Sequence, residues 1–513
     1  MTSIFRTNLK SDLKASLVVF LVALPLCLGI AIASGAPSIS GLIAGIIGGI
    51  VVGAISGSGV SVSGPAAGLT VIVLDSIATL GTFELFLAAV VVAGLIQILL
   101  GVFRAGVLGY FFPHSVIKGM LTAIGLILIL KQIPHALGYD KDTMGDEAFL
   151  QADQHNTITE IGYAIQYHSP GAIPIVLIAL FILILFENPK IKNHRYFGII
   201  PGALWAVIIG LFINETYGIW KPDWKLDGEH LVNIPQVSSI GELSSLLTFP
   251  DFGLFMRAEF WIVAVTIAVV GSIETLLSID AADKMDPQKR ITPTNRELIA
   301  QGVGNSLSGF IGGLPITAVI VRSSANITSG ARTKLSAILH GFLLLILVLS
   351  IPGILNKIPL SCLAAVLFVV GYKLAKPSIF VEVYEKGWNQ FIPFMVTVLA
   401  ILFTDLLVGI GIGMVFGLFF VVKTNFQRAI TITEHNGNYL LKLQKDVSFL
   451  NKPFLLKKLA EIPEGGKVIL NAHKAQFIDN DIKEVLDDFI QSCPSKNIEI
   501  TIEGYHYHLS KSL

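Results

Sequence analysis

Apolar residues along this chain fall in blocks of about 16 to 22, the length that crosses ~30 Å of hydrocarbon at 1.5 Å per residue. Between residues 15 and 423 the pattern predicts roughly fourteen spans. They lie near 15–35, 38–57, 64–80, 84–102, 115–134, 171–187, 197–213, 259–279, 295–311, 315–329, 334–351, 360–376, 391–406 and 407–423. The third and tenth are short and open with glycine and proline. Beyond about residue 423 the rhythm changes. Alternation over 439–443 and 467–470 predicts strands, and 497–502 reads as another; Ile482, Val485, Leu486, Phe489 and Ile490 share a helix face. The pattern therefore predicts an α-helical polytopic membrane protein with a small α/β tail domain.

Composition supports the reading. Of 513 residues, 53% are apolar and 14% charged, where a soluble domain carries roughly 25% charged residues. The formal net charge is zero, which gives no hint of nucleic-acid binding. Cys27, Cys362 and Cys493 have neither disulfide-framework nor zinc spacing. There is no nucleotide loop, metal cluster or nucleophile elbow, so an enzyme and a bound cofactor are not expected.

Connecting segments set an expected orientation. Arg6, Lys10 and Lys14 precede the first span; Lys190, Lys192, His194 and Arg195 follow the sixth; Lys284, Lys289 and Arg290 follow the eighth; Arg332 and Lys334 follow the tenth. With the N-terminus cytoplasmic all of these fall inside, and an even span number returns the tail to that side. The first apolar run is too long for a signal peptide and is read as a span.

Two breaks carry the candidate chemistry. Ser61-Val62-Ser63-Gly64-Pro65-Ala66-Ala67-Gly68-Leu69-Thr70 leads a polar, glycine-rich stretch into an apolar run. Ser63 or Gly64 suits a cap and Pro65 the first helical position. About 250 residues later Gly312-Gly313-Leu314-Pro315-Ile316-Thr317-Ala318 repeats the logic. Paired interrupted helices in two halves mark a transporter site. Facing helix N-termini present free N–H groups and positive dipole ends to an anion without a lysine. The expected anion contacts are Ala66, Ala67, Gly68, Thr70, Ile316, Thr317 and Ala318. Arg322, about two turns into the tenth span, adds positive charge. Glu274, inside the eighth span, is a costly carboxylate that fits a proton or Na⁺ site; Ser278 falls one turn on along the same face. Glycines 41, 45, 49, 53 and 57 make a stripe for close helix packing.

At these residues the chain resembles the SulP family of anion transporters nearly end to end. The resemblance rests on Pro25 and Ala31 in the first span, Ser63-Gly64-Pro65, Phe112-Pro113-His114-Ser115-Val116-Ile117-Lys118-Gly119, and Arg322-Ser323-Ser324-Ala325-Asn326 with Gly330 and Thr333. It implies fourteen transmembrane segments as a 7+7 inverted repeat, at about 15–213 and 259–424, divided into core and gate domains. A cytoplasmic segment over 1–14 precedes them, and a divergent STAS-like cytoplasmic domain over 425–513 follows. It implies an inner-membrane homodimer that moves an anion by an elevator-like motion. Glu274 matches the family's acidic position; bicarbonate-carrying relatives that use Na⁺ have Asp there with a hydroxyl four on, so Glu274 with Ser278 favours H⁺ over Na⁺. Where many sulfate carriers have Pro-Gln this chain has Pro25-Leu26-Cys27, one polar group fewer for the substrate, and Val321 stands where many relatives have serine; both favour a smaller anion such as bicarbonate, and Cys27 joins the expected substrate-facing set. The turn Phe477-Ile478-Asp479-Asn480-Asp481 lacks the family's phosphorylatable serine. The implied function is secondary transport of bicarbonate or sulfate coupled to H⁺ or Na⁺, with membrane lipid around it. The competing readings are an anion channel or exchanger, and an anion-sensing signalling protein acting through its tail.

Overall fold

The computed structural model describes residues 2–142, 144, 149, 155–188, 191, 200–235, 247–427, 429–435 and 437–505. Parts of the basic segment after the sixth span, Lys190, Lys192, His194 and Arg195, lie outside them. The helices follow the apolar blocks: α1 Thr2–Ala33, α2 Ser38–Ile47, α3 Thr70–Leu80, α4 Phe83–Val102, α5 His114–Leu137, α6 Ala172–Glu187 and α7 Gly202–Trp220. The second series is α8 Ala258–Met285, α9 Thr294–Phe310, α10 Ile320–Thr328, α11 Leu335–Ser350, α12 Leu360–Leu374, α13 Trp388–Phe403 and α14 Leu406–Gln427. Eight described helices are long and apolar enough to cross a membrane; others, α6, α11 and α13 among them, are shorter and apolar. Helix α2 runs on through a π-helical turn, Gly48–Val52, to Ile55.

The chain divides into two compact units, Met1–Glu385 with Pro393–Met414, and Lys386–Ile392 with Val415–Leu513. In the first, glycines let helices touch through their backbones. A Cβ added at Gly94 of α4 would lie 2.5 Å from the Gly302 carbonyl of α9, and one at Gly302 equally close to the Gly94 carbonyl. The expected stripe on α2 behaves the same way: a Cβ at Gly45 would meet Cys27 Sγ at 2.6 Å, and one at Gly49 would meet Gly341 Cα at 2.6 Å. Asp12 of α1 is fully buried and holds the turn before α11, its Oδ1 accepting the Arg332 and Thr333 N–H groups at 2.7 and 3.1 Å.

The second unit holds a four-stranded sheet in the order β3-β4-β5-β6, from Ile430–His435, Asn438–Leu443, Lys467–Asn471 and Glu499–Glu503. The first pairing is antiparallel and the other two are parallel. Helices α15, Lys452–Ala460, and α16, Asn480–Ser492, supply Leu455, Ile482 and Leu486 to its core. The predicted strands and helix face all fall on these elements. In place of a serine turn, Asp479 caps α16, accepting the Asp481 N–H.

Candidate functional site

The two glycine–proline breaks meet. Residues Ser63–Pro65 form strand β1 and Ile316–Ala318 form strand β2, paired antiparallel with Gly64 opposite Thr317 and Pro65 opposite Ile316. The Ala66 N–H donates to the Pro315 carbonyl at 3.3 Å, and the Val319 N–H to the Val62 carbonyl at 2.9 Å. This corrects one expectation. Pro65 is not a first helical residue: it lies in β1, and the helix begins later, with a 3₁₀ turn Ala67–Leu69 leading into α3. Likewise α10 starts at Ile320, not directly after Pro315. The extended segments satisfy part of their backbone through each other and part through side chains of α8 and α9, as the membrane interior demands.

The pairing aims two helix N-termini at one region. The Val319 N–H is taken by the Val62 carbonyl and the Ser323 N–H by the Val319 carbonyl. The Ile320, Val321 and Arg322 N–H groups therefore precede any intrahelical acceptor, as do those of Ala67 and Gly68 at the α3 end. The N–H groups of Ile316 and Ala318 are already used, by Asn305 Oδ1 at 2.5 Å and Thr275 Oγ1 at 3.3 Å. Thr70 turns its hydroxyl back to the Ala67 carbonyl at 2.8 Å. Thr317 is fully buried, and its Oγ1 has no hydrogen-bond partner among the described residues.

Arg322 lies in the first turn of α10. It is fully buried, and its Nη2 contacts Cys27 Sγ at 3.3 Å. Nε and Nη1 have no hydrogen-bond partner among the described residues. Its guanidinium sits against Gly64, where any side chain would overlap Nη1. A buried guanidinium with unfilled donors is costly unless an anion reaches it.

Helix α8 packs along the strand pair with Gly271, Glu274 and Thr275. Glu274 is 6% exposed, and a Cβ at Gly68 would lie 3.3 Å from its carboxyl carbon and both oxygens. A Cβ at Gly271 would lie 3.6 Å from Thr317 Cγ2. Ser278 is also buried, one turn along α8. The structure thus brings Ala66, Ala67, Gly68, Thr70, Ile316, Thr317, Ala318, Arg322, Cys27 and Glu274 around one junction.

Sequence reasoning missed the platform beneath it. Helix α9 carries Glu297, Gln301, Asn305 and Ser308, all buried. Asn305 Nδ2 donates to the Ile316 carbonyl at 3.0 Å and to Gln97 Oε1 at 2.7 Å. Gln301 Nε2 donates to Ser63 Oγ at 2.8 Å and to Glu297 Oε1 at 3.0 Å; the Ser56 hydroxyl donates to Glu297 Oε2. Ser308 holds the Leu314 carbonyl at 2.7 Å. The signal was present: polar residues four apart within an apolar span mark one buried face.

Comparison with known proteins agrees with this architecture. The sulfate permease family profile matches residues 9–418. The putative sulfate transporter YvdB of Bacillus subtilis is 27% identical over 467 residues, 87% of this chain and 82% of that protein. The bicarbonate transporter BicA of Picosynechococcus is 27% identical over 327 residues, 63% of this chain and 53% of BicA. The solved transmembrane domain of a cyanobacterial BicA superposes with a TM-score of 0.56 at 25% identity, covering 81% of this chain and 98% of that domain. Murine Slc26a9, an anion transporter, shares the fold with a TM-score of 0.67 at 15% identity, over 97% of this chain and 85% of that one. With 9–418 matched and the paired helix breaks in place, this chain belongs to the sulfate permease family of membrane anion transporters.

Proposed function

We propose that this protein is a secondary active transporter of bicarbonate or sulfate, driven by H⁺ or Na⁺. The anion is held at the β1–β2 junction by the N–H groups that open α3 and α10, by Thr317 Oγ1 and by Arg322. The observation that carries this reading is the antiparallel pairing of Gly64 with Thr317, which turns two distant helix breaks into one cationic focus. Glu274 against Gly68 carries the coupling proton, with Ser278 the added oxygen if Na⁺ is used. Protonation there neutralises a charge beside the anion site, so the empty and loaded carriers differ little in charge. The body bearing α1, α3, α8 and α10 moves against the remaining helices, elevator-like, with both termini at the cytoplasmic face of an inner membrane. The chain works as a homodimer, and the sheet domain near 425–513 is a STAS-like regulatory or assembly module.

Relatives named for sulfate and for bicarbonate support both anions. The test is uptake of labelled bicarbonate and sulfate into proteoliposomes under imposed pH or Na⁺ gradients. Accumulation of one of them under one gradient is expected. Absence of flux for both anions in both gradients would remove the proposal.

A further inference from the structure

Helix α11 buries a titratable side chain that the transport reading leaves unused. His340 is fully buried. It shares one face of α11 with Ala337, Gly341 and Leu344, all buried and three or four residues apart. That face packs behind the anion junction at both ends. Ala337 clusters with Val62, which leads into β1, and with Val19 of α1. A Cβ at Gly45 of α2 would meet Leu344 Cδ1 at 3.1 Å, Cys27 Sγ at 2.6 Å and Arg322 Nη1 at 3.7 Å. His340 lies between these two contacts, and the Arg322 charge acts on it. Apart from the Ala337 carbonyl of its own helix, its ring has no partner among the described residues. A neutral imidazole keeps one acceptor nitrogen, and no donor reaches it here.

The other titratable groups on the elements packed against α11 are engaged elsewhere. On α1, Asp12 holds Arg332 and Thr333, and Lys10 and Lys14 lie at the N-terminal end beside a separate cavity. Lys334 donates to the Ala54 carbonyl at 2.7 Å. Residues 38–52 of α2 and its π-helical turn contain no titratable side chain. Cys27 and Arg322 are the groups that meet the corner beside Leu344.

We propose that His340 is a second proton site of the carrier, filled when a divalent oxyanion occupies the β1–β2 junction and emptied when the anion leaves. The inference rests on the transport reading above. Like charges side by side in a dry interior repel strongly, so Arg322 keeps the imidazole neutral while the junction is empty. A divalent anion on Arg322 reverses the sign of the local charge, and the acceptor nitrogen then takes a proton from the solvent to which the junction is open. The proton returns to solvent with the anion on the other side. Charge balances over the cycle. Glu274 and His340 bind one proton each, matching the two charges of sulfate, so the loaded and empty carriers have the same net charge. A singly charged anion needs only the Glu274 proton. His340 thus fits the carrier to an anion's charge, where the backbone N–H groups fit it to a shape. Proton and anion favour each other by the same factor, as linkage requires.

Two readouts on the full-length protein test this. In weakly buffered detergent solution with a pH indicator, sulfate binding should take up about one proton more in the wild type than in His340→Asn or His340→Gln. Glu274→Gln should retain the His340 share, and the double variant should lose it. In proteoliposomes, sulfate uptake by the wild type should be indifferent to an imposed potential. In the His340 variants an inside-negative potential should slow it, because each cycle then carries one net negative charge. The sulfate-induced thermal shift establishes that each variant still binds. Equal proton uptake in the wild type and in His340 variants that bind sulfate overturns the proposal. If neither variant folds, Glu274→Gln decides alone: sulfate binding without proton uptake in that protein leaves His340 no role. A protein that moves bicarbonate but neither binds nor moves sulfate also overturns it and leaves the transport reading intact. Absence of both binding and flux for sulfate and bicarbonate removes the transport reading itself, and this inference with it.

Discussion

Asn305 holds Ile316 as a third strand would: its side-chain oxygen accepts the Ile316 N–H at 2.5 Å and its side-chain nitrogen donates to the Ile316 carbonyl at 3.0 Å. Removing that side chain orphans two buried backbone groups and the Gln97 oxygen it also serves. Each buried group left unsatisfied costs about 1–3 kcal/mol. Asn305→Ala should therefore lower the thermal midpoint markedly and weaken anion binding together. A variant that keeps wild-type stability would show that β2 does not depend on this residue.

Arg322 predicts a dissociation between stability and binding. Its Nε and Nη1 lack partners among the described residues, so Arg322→Met removes a buried charge without orphaning a carboxylate bonded to it. Replacing buried charge by an apolar side chain of similar volume is often neutral or stabilising. The ligand-free midpoint should stay level or rise, while the rise that bicarbonate or sulfate gives the wild type disappears. A variant still stabilised by the anion would remove Arg322 from the site.

Glu274 and Gly68 form the coupling contact. Glu274→Gln keeps the shape but cannot change charge. Gradient-driven accumulation should be lost while anion binding stays measurable; accumulation at the wild-type level would exclude the carboxylate from coupling. Gly68→Ala places a methyl 3.3 Å from that carboxyl group, tight enough to displace it slightly. Its uptake should persist with an altered pH profile, and Gly68→Leu should abolish it.

A clasp away from the site gives a pH prediction for stability. Asp140 accepts from His135 Nδ1 at 2.6 Å and from His230 Nδ1 at 2.7 Å. Burial opposes the Asp140 charge, but the two imidazole hydrogen bonds and ring charges outweigh it and hold the carboxyl below its usual range. The hydrogen bond to Asp140 raises His230 against partial burial, with further help from the Asp140, Glu229 and Asp227 charges. The Asp140 contribution is present above an unfolded value of about 3.9 and is lost as pH falls through the depressed folded one. The His230 contribution is complete below about 6.5 and is lost as pH rises through the raised folded value. The thermal midpoint should thus peak in mildly acid buffer and decline on both sides. Asp140→Asn should flatten the profile; an unchanged profile would mean that the clasp contributes nothing.

Local chemistry made much of this fold legible, and distance along the chain hid the rest. Apolar block length located the helices because crossing hydrocarbon fixes that length. Glycine and proline at 63–68 and 312–315 located the breaks. What those breaks do could not be read from either one alone, since Pro65 and Ile316 find their strand partners some 250 residues away. The sequence logic therefore started each helix too early. The His135–Asp140–His230 clasp was invisible for the same reason: His230 joins Asp140 from 90 residues further along the chain. Asn305 and Gln301 are different. Their four-residue spacing was legible, but their partners Ser63 and Gln97 lie 238 and 208 residues away along the chain.

The central claim is a place: an oxyanion between the α3 and α10 N-termini, beside Thr317 and within reach of Arg322. Selenate, a heavier analogue of sulfate, can be located by its anomalous signal in crystals of the full chain. The account predicts one strong peak at that junction, lost in Arg322→Met and in Thr317→Leu. A peak elsewhere, or none at a concentration that saturates a selenate-induced thermal shift, would contradict it.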